Sequence, residues 1–113
     1  MNILSQGSWW VLNKRLTQKI GLDASYLLSD LVQRYEYFKE RDRLQDDGSF
    51  FCKQDILEKE TTLTQYRQTS AIKILVELGM VELIKKGAPS FNFYKLNINV
   101  INKFVFDLYN EHI

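Results

Sequence analysis

One cysteine, one proline, one histidine and no long apolar run set the first limits on this 113-residue chain. A lone Cys52 forbids an internal disulfide and fits a reducing cytosol, so a cytoplasmic protein is expected. Cys52 follows two phenylalanines and precedes a helical pattern, which reads as a small buried filler rather than a reactive thiol. The single histidine, His112, lies beside the C-terminus, where solvation is a better reading than general-base duty. P-loop, dinucleotide-glycine, nucleophile-elbow and zinc-ligand patterns are all missing. Glu58 and Glu60 stand two apart on a helix and so face different directions. No catalytic residue, metal site or cofactor is therefore expected, and the chain reads as a non-enzyme. The apolar runs span a handful of residues against the roughly 20 a bilayer crossing needs. The N-terminus lacks a charged stretch followed by a long apolar run, so neither a membrane span nor a secretory signal is expected. Repeats, low-complexity segments and linkers are absent as well, which leaves a single domain over 1–113.

Core-forming residues are plentiful: 45% of the chain is hydrophobic and 13% aromatic, enough to fill one ordinary domain. Ser8-Trp9-Trp10-Val11-Leu12 predicts a strand, with one indole in the core and the other half covered. Asn13 caps a short helix that carries Leu16 and Ile20 and stops at Gly21. Asp23 reads as the cap of a long helix to about Asp42. Its apolar stripe is Ala24, Leu27, Leu28, Leu31, Tyr35 and Phe38, and Gln33, Glu36, Lys39 and Glu40 lie outside. Arg41 to Gly48 is a charged loop whose acids lack the spacing of a calcium loop.

The stretch that organises the rest begins at Phe50-Phe51. A short strand there leads into a helix over Gln54–Glu60 that buries Ile56 and Leu57, and then into a tight turn ending at Leu63. Thr64 caps a second helix, 64–78, with Ala71, Ile72, Leu75 and Leu78 inward and Gly79 closing it. Strands at Met80–Lys85 and Phe91–Leu96 follow, joined by Lys86-Gly87-Ala88-Pro89-Ser90. A final helix starts at Asn97 or Asn99 with Ile101, Phe104, Val105 and Leu108 along one side, packed over Trp9, Trp10 and the long helix. This order predicts an α+β, mainly α chain. It is a winged helix-turn-helix with a two-stranded wing, extra N- and C-terminal helices, and a motif core of about 50–97.

Such a motif presents its second helix to the DNA major groove and its wing to the phosphates. The expected recognition helix, 64–78, offers Thr64, Gln65, Tyr66, Arg67, Gln68, Thr69, Ser70 and Lys73. Gln pairs with adenine and Arg with guanine, while Ser or Thr serves base or phosphate. Lys85, Lys86 and Lys95, on the wing over 85–95, suit phosphate contacts. The net charge is only +1, but between Thr64 and Asn102 five basic residues meet two acidic ones, a local excess of +3. Double-stranded DNA is the expected partner. The alternatives are a protein–protein interaction module and a transcriptional regulator on the same scaffold. A homodimer is a further expectation, because the apolar final helix would let a second copy add affinity.

The run from Phe50 to Asn97 resembles the N-terminal winged-helix domain of phage and plasmid replication initiators, the replisome organisers. The landmarks are Phe50-Phe51, Leu63-Thr64-Gln65, Ala71-Ile72-Lys73, Leu78-Gly79-Met80-Val81, and Lys86-Gly87-Ala88-Pro89 followed by Tyr94. The preceding LDASYLLSDLVQRYEYFKE is similar to the helix before the motif in those proteins. The resemblance implies DNA binding in replication initiation, with other replication proteins as partners. Those initiators generally carry a second domain for oligomerisation or helicase-loader contact, and the resemblance implies that this activity is either absent here or supplied by another protein. Two positions depart from the pattern. Thr62 stands where the family turn usually has glycine, which implies a wider turn, and Lys53 stands where Ser or Thr usually caps the first motif helix.

Overall fold

A computed structural model describes residues 8–111. The fold is α+β and mainly helical, with five helices and one small antiparallel sheet among the described residues. Helix α1 (Lys14–Ile20) starts where the Asn13 side chain accepts the Leu16 amide, as expected. Helix α2 (Leu22–Glu40) follows with no loop, because Gly21, at φ +96°, closes α1 and opens α2. Asp23 is thus not the cap but a first-turn residue, and α2 ends two residues short of Asp42. Its stripe is as predicted: Ala24, Leu27, Leu28 and Leu31 are buried, with Tyr35 and Phe38 half-buried against the same core.

Residues 8–12 form no strand, contrary to their β-forming composition. A strand needs an edge to pair with, and α2 side chains take up this segment's carbonyls instead. Ser29 Oγ donates to the Val11 carbonyl at 2.9 Å and Gln33 Nε2 to that of Trp9 at 3.0 Å. Neither indole enters the core: Trp9 is 56% exposed and Trp10 42%. Trp10 sets its ring edge-on to Tyr26 at 4.8 Å, and its Nε1 donates to Asp30 Oδ1 at 3.1 Å. A half-wet indole with a partnered N–H is stable at such a surface.

Strand β1 (Phe50–Phe51) is followed by helix α3 (Gln54–Thr61). Lys53 makes no side-chain cap bond. Leu57 is fully buried, whereas Ile56 is 43% exposed, so only one of the two expected core residues enters. The turn is tight rather than wide, because Thr62 itself adopts the left-handed conformation, φ +66°. The Thr61 hydroxyl braces it, donating to the Leu57 carbonyl and accepting the Leu63 amide. Helix α4 (Gln65–Glu77) is capped by Thr64, whose Oγ1 accepts the Arg67 amide at 3.2 Å. It closes at Gly79, φ +74°, where Met80 N–H reaches the Leu75 carbonyl and Gly79 N–H that of Val76, both at 3.0 Å.

Strands β2 (Val81–Lys86) and β3 (Phe91–Leu96) form the hairpin. The expected two-stranded wing is part of a three-stranded sheet, because β1 adds to β3 through Phe50↔Tyr94 and Phe51↔Phe93, in the order β1-β3-β2. Helix α5 (Ile98–Asn110) is capped by Asn97, buries Ile101 and Leu108, and packs on α1. The core sits between α2, α3, α4 and the inner sheet face, centred on Leu27, Leu31, Leu57, Leu75, Phe50 and Tyr94. With about 1.5–3 kcal/mol from each large apolar side chain so buried, that set fixes how α4 and the hairpin sit together.

Candidate nucleic-acid interface

At ~100° per residue, an α-helix turns every third or fourth position to the same side. Along α4, Gln68, Ala71, Ile72 and Leu75 form the buried arc. Directly opposite stand Tyr66, Ser70, Lys73 and Glu77, all exposed, with Tyr66 at 81%. Gln65 and Thr69 flank this strip toward the sheet, and Arg67 flanks it toward α2. Thr64 and Gln65 are exposed at the N-terminal turn, where the leading amides have no helical partner.

Gln68 is the plain correction among the expected DNA-facing residues. It is 1% exposed, and its Nε2 donates to the carbonyls of Gln54 and Leu63, both at 2.9 Å, tying α4 to α3 and the turn. Its spacing of three and four from Ala71 and Ile72 already placed it on the inner arc, and only its polarity pointed outward. Its Oε1 has no hydrogen-bond partner among the described residues.

Two of the expected cations are already engaged. Arg67 makes a two-pronged pair with Asp23 of α2, Nε to Oδ2 at 2.8 Å and Nη2 to Oδ1 at 2.6 Å. Those hydrogen bonds hold the Asp23 carboxyl below its ordinary range. Lys86 lies over the Phe93 ring at 4.7 Å to reach Asp47 Oδ2 at 3.0 Å. Asp47 is held far below the usual carboxylate range, first by the Ser49 hydroxyl and amide and then by Lys86. Lys95 sits at the far end of β3 across from Glu82, beside a separate depression between α4 and α5, away from the hairpin tip.

Lys73 and Lys85 are exposed and make no ion pair among the described residues. Between α4 and the hairpin runs a groove of about 680 Å³. Its polar walls are Thr69 of α4, Lys53 and Gln54 at the start of α3, and Lys85, Ser90 and Asn92 of the hairpin. Among the described residues no carboxylate lines it. Lys53, Gln54, Ser90 and Asn92 were not expected here. Lys53 registers in the sequence only as a poor cap, and nothing local to it says that the hairpin folds back beside it. The groove is a cationic, hydrogen-bonding trough next to an exposed helix face.

Cys52 is buried, its thiol pushed up to about 11 by desolvation, in keeping with a packing role. Among the described residues no His, Cys, Asp and Glu grouping is placed to hold a metal ion, and no helix is long and apolar enough to cross a membrane. His112 lies outside the described residues. Comparison with protein-family models, with curated proteins and with solved structures finds no match to this chain.

Proposed function

We propose that this chain is a winged-helix module that binds double-stranded DNA, with α4 in the major groove and the β2–β3 hairpin on the flanking backbone. The element order β1-α3-α4-β2-β3, with β3 between its neighbours, is the arrangement such a module needs. The observation that carries the reading is the carboxylate-free groove beside the exposed strip of Tyr66, Ser70, Lys73 and, at its C-terminal end, Glu77. A DNA backbone passing between the major groove and the hairpin would lie in that trough against Lys53 and Lys85, with Thr69 and Ser90 donating hydroxyls. Replication initiation in a phage or plasmid is the process the family resemblance points to. It is proposed on that resemblance alone.

Binding to labelled duplex DNA across a salt series, read by anisotropy, tests the reading. With Lys53, Lys73 and Lys85 on phosphates, each neutralised charge adds ~0.9 to the logarithmic slope, so affinity should drop roughly 40-fold from 50 to 200 mM salt. Lys73→Ala should weaken binding by about 1–3 kcal/mol if it meets a base, or lower the slope by about one if it meets a phosphate. No binding at low salt overturns the proposal.

A second reading, contact with another copy of the chain, has its own observation: Phe106 and Tyr109 on α5 are 64% and 66% exposed. Sedimentation of a Phe106→Ser, Tyr109→Ser double variant beside the unaltered chain checks it. A monomer in both cases removes it.

A further inference from the structure

The groove contains something a duplex backbone does not explain. Phe51 and Phe91 line it, edge to face at 5.4 Å, and they stay 37% and 41% exposed. Phosphates and sugars gain nothing from aromatic faces. A planar apolar group between phosphates does, and an unpaired nucleotide has that chemistry. The two rings share the groove with two lysines that are unpaired among the described residues, Lys53 and Lys85, and with no carboxylate.

The floor supplies a second, independent observation. A cavity of about 50 Å³ under the groove shares Gln54, Thr69, Leu83 and Asn92 with it and is bordered by Gln68. The Gln68 side chain is fully buried, and its Oε1 lacks a donor among the described residues. The pairing edge of an unstacked base carries N–H donors of the kind that oxygen accepts.

We infer that the groove between α4 and the hairpin is a single-stranded DNA site, stacking an unpaired base on Phe51 and Phe91 with its flanking phosphates on Lys53 and Lys85. The inference rests on reading the groove as a nucleic-acid surface and adds which strand state it takes. Lys53 and Lys85 then serve either state, whereas the rings serve only the unpaired one.

The test compares three labelled probes by anisotropy: a short oligothymidine, an abasic strand of the same length, and a blunt duplex. The site is supported when oligothymidine binds about tenfold or more tighter than the abasic strand, because the two differ only in bases to stack. Phe51→Leu with Phe91→Leu keeps apolar volume and removes the ring faces. It should cost about tenfold on oligothymidine and leave duplex affinity unchanged. Phe91→Leu alone, beside the exposed hairpin tip, gives the same sign if the double variant fails to melt cooperatively. Equal affinity for the thymidine and abasic strands, or equal losses on single strand and duplex, overturns the inference. Duplex binding with no single-strand binding overturns it alone and spares the duplex proposal. Base-dependent single-strand binding without duplex binding does the reverse, and no binding to any probe removes both.

Discussion

Arg67 shows how far a residue's chemistry depends on its neighbours. Its guanidinium is committed to Asp23 at 2.6 and 2.8 Å, so on the free protein it offers a DNA phosphate little net charge. Neither partner is deeply buried, so the pair adds little to stability but competes directly with an incoming phosphate. Under the proposed duplex binding, Asp23→Asn should raise affinity several-fold and steepen the salt slope by about one, while thermal stability barely changes. A weaker-binding Asp23→Asn protein would instead mean that the carboxylate aims Arg67 at a base. Gln68 teaches the complementary lesson. The helical spacing of 68, 71, 72 and 75 was readable and sufficient, and residue type was the misleading signal.

At the scale of elements, helix ends were the most legible feature. Asn13, Thr64 and Asn97 each accept an amide three residues on, and Gly79 closes α4, as their residue types predict. The turn between α3 and α4 was not legible. Thr62 is forced to φ +66° because Leu57, Leu63 and Leu75 are all buried at 1% exposure or less, and their packing outweighs local preference. A left-handed L-residue costs roughly 1–2 kcal/mol, and glycine returns about 0.5–1 kcal/mol as unfolded-chain entropy. Thr62→Gly should thus stabilise the protein by about 0.5–1 kcal/mol, seen as a higher urea midpoint with an unchanged slope. A lower midpoint would mean that the threonine side chain makes contacts worth more than the strain. The segment over 8–12 was misread for a different reason, since β propensity describes a surface awaiting a partner strand and the partner here is a helix.

For the molecule as a whole, charge placement is the property that ties stability to pH. Asp23 and Asp47 tie distant parts of the chain together, α2 to α4 and the loop before β1 to the hairpin. Both have folded-state pKa values below their ordinary ones, so the small, solvent-screened stability they contribute is complete above about pH 4–5 and is lost as acid protonates them. Urea midpoints should be flat from pH 7 to about pH 5 and fall below about pH 4, with Asp47→Asn flattening the acid limb. An acid limb identical in Asp47→Asn and the parent chain would show that Asp47 is not among the groups responsible.

The sequence by itself determined where most helices start and stop, which aliphatic residues of α2 and α4 enter the core, and that a hairpin follows Gly79. Those outcomes rest on interactions spanning four residues or fewer, or on a period that repeats along one helix. Only the tertiary structure decided which cations remain unpaired among the described residues, that Lys53 shares a groove with Lys85, and that Phe51 and Phe91 meet at its wall. Each of those depends on residues 30 to 44 positions apart being brought together by core packing. No local propensity encodes a separation that long.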